Sequence, residues 1–456
     1  MKRFVFAFIA TAAVSSVTAT ASAQVWLRDR AATQGPGIRS GDLEYHPGIA
    51  VEVGYDSNYF NRAPASACAN VNSCTDGSGY QPVDTARLRV TPSFHVSTLS
   101  SQRSEGGAPA PPPKVSFDAG AALIYSEFLT NADKLGRNRE FGVAADLAIG
   151  IAPGRPVGFN ILDNFTRTAQ PSLDPDPNVG LDRDDNRAAG ELVFTKPGGL
   201  LDWRFGYAFG LTYFEKSSVQ SLNNTRNEVY TKGRWKFLPR TALVYDGNFQ
   251  AIHYTNSTPG LNDSTPLRTR VGLSGLFTDR LSVLAMVGWG ASFYKNGQDF
   301  DSVIGQLELR YFLTGAAPEA GTTAPSMSSF AVGFTRDFFN SYLGNYYERD
   351  RGYVQLSALF AQRFYLGLDA GVAAIRYSTI LDRATDGHEV HPGFTDIRFD
   401  ASLFGEYRVK DWLGFNATVQ YLGESSSAKI PATTRSGVLD MKFNRVQALV
   451  GVRAFF

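Results

Sequence analysis

The chain has few of the residues that build metal clusters. It carries 2 cysteines and 5 histidines in 456 residues. It also lacks a charge surplus of either sign: 44 Lys+Arg stand against 43 Asp+Glu. That balance removes the electrostatic case for a nucleic-acid partner. No apolar run of about 18 residues follows the N-terminus, which excludes a membrane-spanning helix. No stretch shows strong helical periodicity, and Lys/Glu-rich segments are few. A chain of this length would ordinarily fold as two or three domains containing helices; its composition argues against that.

Glycine is abundant at 44, aromatics make up 13% and apolar residues 43%. This mixture suits many β-strands. At the N-terminus, Lys2 and Arg3 precede the short apolar run "FVFAFIATAAV" (4–14), and Ala21-Ser22-Ala23 forms a small-residue cleavage site. The pattern predicts an export signal over 1–23, cut before Gln24. Without Lys2 and Arg3 the balance becomes 42 against 43, a net charge of −1. No cysteine follows the site, so no lipoprotein anchor is expected. Cys68 and Cys74 sit in a Gly/Ser/Asn-rich segment. In an oxidising compartment they are expected to close a small disulfide loop; no histidine lies nearby to make a metal site.

"HPGIAVEVGYDSNYF" (46–60) alternates Ile49, Val51, Val53 and Tyr55 with Ala50, Glu52, Gly54 and Asp56. Period two with one apolar face marks a strand between two environments. The same pattern recurs in "ARLRVTPSFHV" (86–96), "KVSFDAGAALIYSEF" (114–128), "EFGVAADLAIGI" (140–151) and "LDWRFGYAFGLTYF" (201–214), and in many later segments. Weaker versions occupy 157–168, 186–196 and 328–339, and a last strand fills 441–456. The expectation is an all-β fold: a transmembrane antiparallel up-and-down β-barrel of about 18 strands over 46–456, preceded by a periplasmic segment, 24–45. Closure leaves no backbone edge in lipid.

The connections alternate in length. Short ones fall at 153–156, 197–199, 238–240, 278–280 and 409–411; longer polar ones near 57–84, 169–185, 215–225, 255–265, 339–350, 379–393 and 423–437. Short periplasmic turns and long extracellular loops are the two ends of a barrel. The Pro/Gly/Ala-rich segments 99–113 and 314–326 fall on the turn side and read as flexible linkers. β-Sandwiches are the soluble alternative. They fit poorly, because Trp203, Tyr213, Trp235, Tyr311, Tyr407, Trp412 and Tyr421 gather near strand ends, as interfacial girdles do.

Strand parity turns Glu52, Arg89, Asp118, Asp146, Asp202, Arg204, Arg234, Asp246, Arg268, Arg270, Glu308, Arg310, Asp369, Arg398, Asp400, Glu406 and Arg453 toward the lumen. An Arg or Lys facing lipid at mid-depth would cost roughly 2–4 kcal/mol. These residues form either a salt-bridged wall or a mixed-charge constriction that orients a polar solute. Without a ladder of one sign, strong ion selectivity is not expected. No active site emerges among His46, His95, His253, His388 and His391, and no enzyme activity or cofactor is expected. Neither of two polar loops that carry possible metal ligands reads as a metal site. His388-Glu389-Val390-His391 beside Asp386 reads as a solvated loop, and the acidic stretch 174–186 lacks EF-hand spacing.

The C-terminus, "VQALVGVRAFF", ends on Phe456, with Val452 and Val450 on the same parity. A final aromatic on an amphipathic strand resembles the insertion signal read by the barrel-assembly machinery. The opening segment "HPGIAVEVGYDSNYFNR" (46–62) resembles the first strand of the bacterial β-barrel porin-2 family, through Pro47, Tyr55, Asp56, Asn58 and Phe60. Some members are linked to exopolysaccharide export. The resemblance therefore implies an outer-membrane conduit for a secreted polysaccharide, working with periplasmic export proteins. The chain has no periplasmic scaffold of helical repeats, so a separate partner would bridge that space. A passive porin for small polar solutes and a plugged surface scaffold are the alternatives.

Overall fold

The computed structural model describes residues 37–64, 81–98, 113–170, 182–313 and 328–456, apart from short gaps at 259, 362, 383–386, 388 and 432–437. The export signal, Cys68 and Cys74, residues 99–112 and 314–326 of the two linker-like turns, residues 174–181 and His388 lie outside the described residues.

The strands form one sheet of 19, of which three-residue Ile38–Ser40 only folds back onto its successor, leaving 18 in the wall. They are β1 (Leu43–Asp56), β2 (Thr85–Thr98), β3 (Val115–Phe128), β4 (Arg139–Ile151), β5 (Val157–Thr168) and β6 (Arg183–Thr195). Next come β7 (Leu201–Phe214), β8 (Asn224–Leu238), β9 (Thr241–Tyr254), β10 (Ser264–Leu276), β11 (Leu281–Tyr294) and β12 (Phe300–Phe312). The last six are β13 (Ser329–Asn340), β14 (Tyr346–Phe360), β15 (Phe364–Tyr377), β16 (Phe394–Lys410), β17 (Leu413–Ser425) and β18 (Phe443–Phe455). Each pairs antiparallel with its chain neighbours. The ladder closes where β18 meets β1, from Gly48↔Phe455 to Asp56↔Gln447. This is the all-β transmembrane barrel that the alternation predicts.

Parity explains the closure. On β1, Ile49, Val51, Val53 and Tyr55 are exposed on the outside, whereas Glu52 and Asp56 are buried inside. Outward apolar residues continue around the wall as a belt that only a bilayer can solvate, which places the barrel in an outer membrane. Tyr213, Trp235, Tyr311, Tyr407, Trp412 and Tyr421 are exposed near strand ends, as girdle residues are.

The structure revises several boundaries. β1 begins at Leu43, three residues before the start read from the alternation. β14 begins at Tyr346, so Tyr346–Gly352, read as loop because Glu348, Arg349, Asp350 and Arg351 are charged, is paired wall. β6 likewise takes in Arg183–Asp185. Short turns need left-handed backbone: Gly154 has φ 73° between β4 and β5, and Gly198 has φ 82° between β6 and β7.

One ladder is incomplete. β12 and β13 pair only from Phe312↔Ser329 to Gly305↔Arg336, although both continue toward the extracellular end. Beyond that point Arg336 Nε donates to the Val303 carbonyl at 3.0 Å, and Phe300 stacks on Phe338 with centroids 4.2 Å apart. A guanidinium and two rings replace the missing backbone bonds.

Candidate pore wall

The inner face is polar because every second residue of every strand must face the lumen. Many of its charges are joined in local groups of both signs. Around the β18–β1 closure, Arg89 Nη2 lies 2.7 Å from Glu52, and Asn416 Nδ2 donates to the other oxygen of Glu52 at 2.6 Å. Next to it Arg445 grips Asp56 with two bonds, of 3.0 and 2.5 Å, and reaches Asn61 at 3.2 Å. Gln447 also donates to Asp56 at 3.2 Å. These groups are nearly shut off from solvent, with Asp56 0% and Arg445 4% exposed.

The predicted pore residues fall into this scheme. Glu406 binds Arg453 at 2.9 Å and Arg408 at 3.3 Å. Arg398 pairs with Glu424 at 3.1 Å. Arg351 bridges Asp369, at 2.8 Å, and Asp400. Arg204 meets Asp202 at 3.1 Å and Glu191 at 3.3 Å, and Arg234 stands opposite Asp202 in register. Arg270 binds Asp246 at 2.9 Å, while Arg268 binds Asp337 at 3.0 Å and lies over the Phe338 ring. Arg310 pairs with Glu308 at 2.9 Å, and Tyr353 donates to Glu308 at 2.7 Å. Asp118 sits 3.1 Å from His95 Nε2, and Asp146 lies opposite Gly120 and Asn164 in register. The set thus divides into separate wall groups rather than converging on one centre. Among the described residues no three His, Cys, Asp or Glu side chains surround a metal-sized point.

The predicted pore residues do not include Glu140, Glu191, Asp337, Arg351 and Glu424, although all share the inward face; Arg87 and Arg445 have the same parity as Arg89 and Arg453 and belong with them. Folded loops were not legible at all. Residues 57–64 turn into the mouth, where Tyr59 donates to Glu140 and to the Ala169 carbonyl, and Gln170 donates to Glu140 at 3.2 Å. Burial beside the Glu140 carboxylate pushes the Tyr59 phenol well above its ordinary pKa. Between Gln170 and the wall at Gln420 and Gln447 lies a cavity of about 40 Å³, room for a few waters. Across the barrel, Phe214, Leu222, Tyr254, Leu261 and Tyr342 pack into an apolar cap. Asn262, Asn296 and Asn345 tie the adjoining loops together at 2.8–3.1 Å.

At the C-terminus Val450, Val452 and Phe456 are exposed on the outer face. The Phe456 amide donates to the Pro47 carbonyl at 3.0 Å, and its ring stacks on Trp412.

Solved structures that align with the chain are bacterial outer-membrane barrels. OpdK of Pseudomonas aeruginosa aligns over 91% of this chain and 99% of its own, at 10% identity and a TM-score of 0.45. A BenF-like porin of Pseudomonas fluorescens Pf-5 gives the same coverage at 10% identity and a TM-score of 0.44. An anion-selective porin of Comamonas acidovorans gives 91% and 99%, at 10% identity and 0.36. Likeness at this level concerns architecture, and nothing about solute or selectivity is carried over from it. No protein-family model matches the chain, and no curated protein does. The resemblance at 46–62 therefore stands on that segment alone.

Proposed function

We propose that the chain is a passive outer-membrane channel for small polar solutes. The inner wall carries this reading: arginines and carboxylates line it largely in mutually bonded groups of both signs, with one basic run, Lys232, Arg234 and Lys236 on β8. Such a wall is wettable and offers hydrogen bonds to a polar solute, yet exerts little net field on an ion. A barrel of this strand number can enclose an aqueous lumen. The inward-folded loops at the mouth favour small solutes over a polymer, so the polysaccharide conduit is the weaker reading. Export through residues 1–23, a Cys68–Cys74 disulfide and recognition of the C-terminal strand by the assembly machinery complete the proposal. Liposome swelling tests it. Proteoliposomes should admit mono- and disaccharides and exclude dextrans. Equal entry of dextran would favour the polysaccharide reading, and no entry of any solute the plugged scaffold.

A further inference from the structure

The geometry points to the outer face of β5 and β6 as the surface on which two copies of this chain associate within the membrane. Outward positions at mid-strand, Arg336 apart, are otherwise apolar or small, or carry uncharged polar groups. On β5 they are Phe159, Ile161, Asp163 and Phe165, and Asp163 falls in the middle of Val157–Thr168. Its Oδ1 accepts from Nδ2 of Asn186, on the outward face of β6, at 3.1 Å. A carboxylate therefore sits at mid-depth on the lipid side, where an ionisable group is penalised unless something other than lipid covers it. The outward group Arg336, Glu348, Asp350 and Arg376 is different: it closes on itself with two charges of each sign, Glu348, Asp350 and Arg376 lying toward the extracellular ends of their strands.

The β6 side of Asp163 is small: Ala188 lies opposite it in register and Gly190 follows, whereas Leu147 stands opposite it on β4 with Ala145 one outward position away. Small residues let two backbones approach closely, and polar side chains then bond across the contact. The occupant is a second copy because the patch complements itself. A carboxamide donor stands beside a carboxylate acceptor, so a two-fold axis through the patch brings each donor to the other copy's acceptor. Toward the rim the same face adds Arg167, bound to Glu215 at 2.6 Å and 3.8 Å from Asp184, charges of both signs. Lipid tails offer no such partners.

Sedimentation of the full chain in lipid nanodiscs and in detergent tests this. The wild type should dimerise. Asp163→Leu/Asn186→Leu should weaken self-association by about tenfold or more, and Ala188→Trp should do the same by filling the depression. Both should keep the heat-modifiable gel shift of a folded barrel. In a Cys68→Ser/Cys74→Ser background, Ala188→Cys should cross-link on oxidation, whereas Val372→Cys, outward on β15, should not. A wild type that stays monomeric in bilayers, a dimer indifferent to the leucine pair, or equal cross-linking at both positions would overturn the proposal.

Discussion

Asp56 and Arg445 hold the first strand to the last, and breaking that pair is the sharpest test of how dry the inner wall is. Arg445 gives Asp56 two bonds, and Gln447 and the Asn58 amide add one each at 3.2 Å. With side chains 0% and 4% exposed, neither ion has water to fall back on. Asp56→Ala leaves a buried guanidinium without its counter-ion, which costs about 3–5 kcal/mol. Asp56→Leu/Arg445→Met removes both charges, so its loss should fall short of the summed single-variant losses by about 0.5–3 kcal/mol. Urea unfolding from lipid vesicles, followed by tryptophan fluorescence, reads both quantities. Additive losses, or an Asp56→Ala cost of about 1 kcal/mol or less, as for an exposed pair, would show that lumen water screens the site and refute the reasoning.

Three further outcomes are expected. Deleting Phe456 removes its bond to the Pro47 carbonyl and its stack on Trp412; the folded fraction in cells, read by heat-modifiable mobility, should drop, and an unchanged fraction would count against an insertion role. Arg336→Ala uncaps the Val303 carbonyl at the open end of the β12–β13 ladder and should cost about 1.5–3 kcal/mol; an unshifted urea midpoint would contradict it. Burial alone would raise the Asp182 carboxyl, but the bonds and charges of Arg137 and then Lys216 outweigh it and hold the group below its ordinary pKa. Its stabilisation is then complete above the ordinary carboxylate range and lost as pH falls through the lowered value. Hydrogen exchange around residues 129–137 should hold steady from neutrality into that range and rise only below it; an onset near neutrality would be wrong for this group.

The wall was readable because a strand's two-residue period is imposed by lipid on one side and water on the other. Ile49 to Tyr55 shows the rule in seven residues. It faded where those solvents no longer differ. At Tyr346–Gly352 both faces carry polar groups near the extracellular rim, so the alternation vanishes although the ladder continues. Asp163 illustrates the opposite failure: its parity is outward, and no lipid rule predicts a carboxylate there. The partners of pore residues were invisible for a further reason. Tyr59 reaches Glu140 across 81 positions because its loop turns into the mouth, and Arg445 reaches Asp56 across 389 because the barrel closes.

Single-channel recording of the purified, folded barrel in a planar bilayer under a KCl gradient bears most directly on the channel itself. The lumen, lined largely by paired charges of both signs, predicts discrete conductance steps with a reversal potential close to zero. Folded protein that inserts without conducting, or a reversal potential near the limit for one ion, would contradict it.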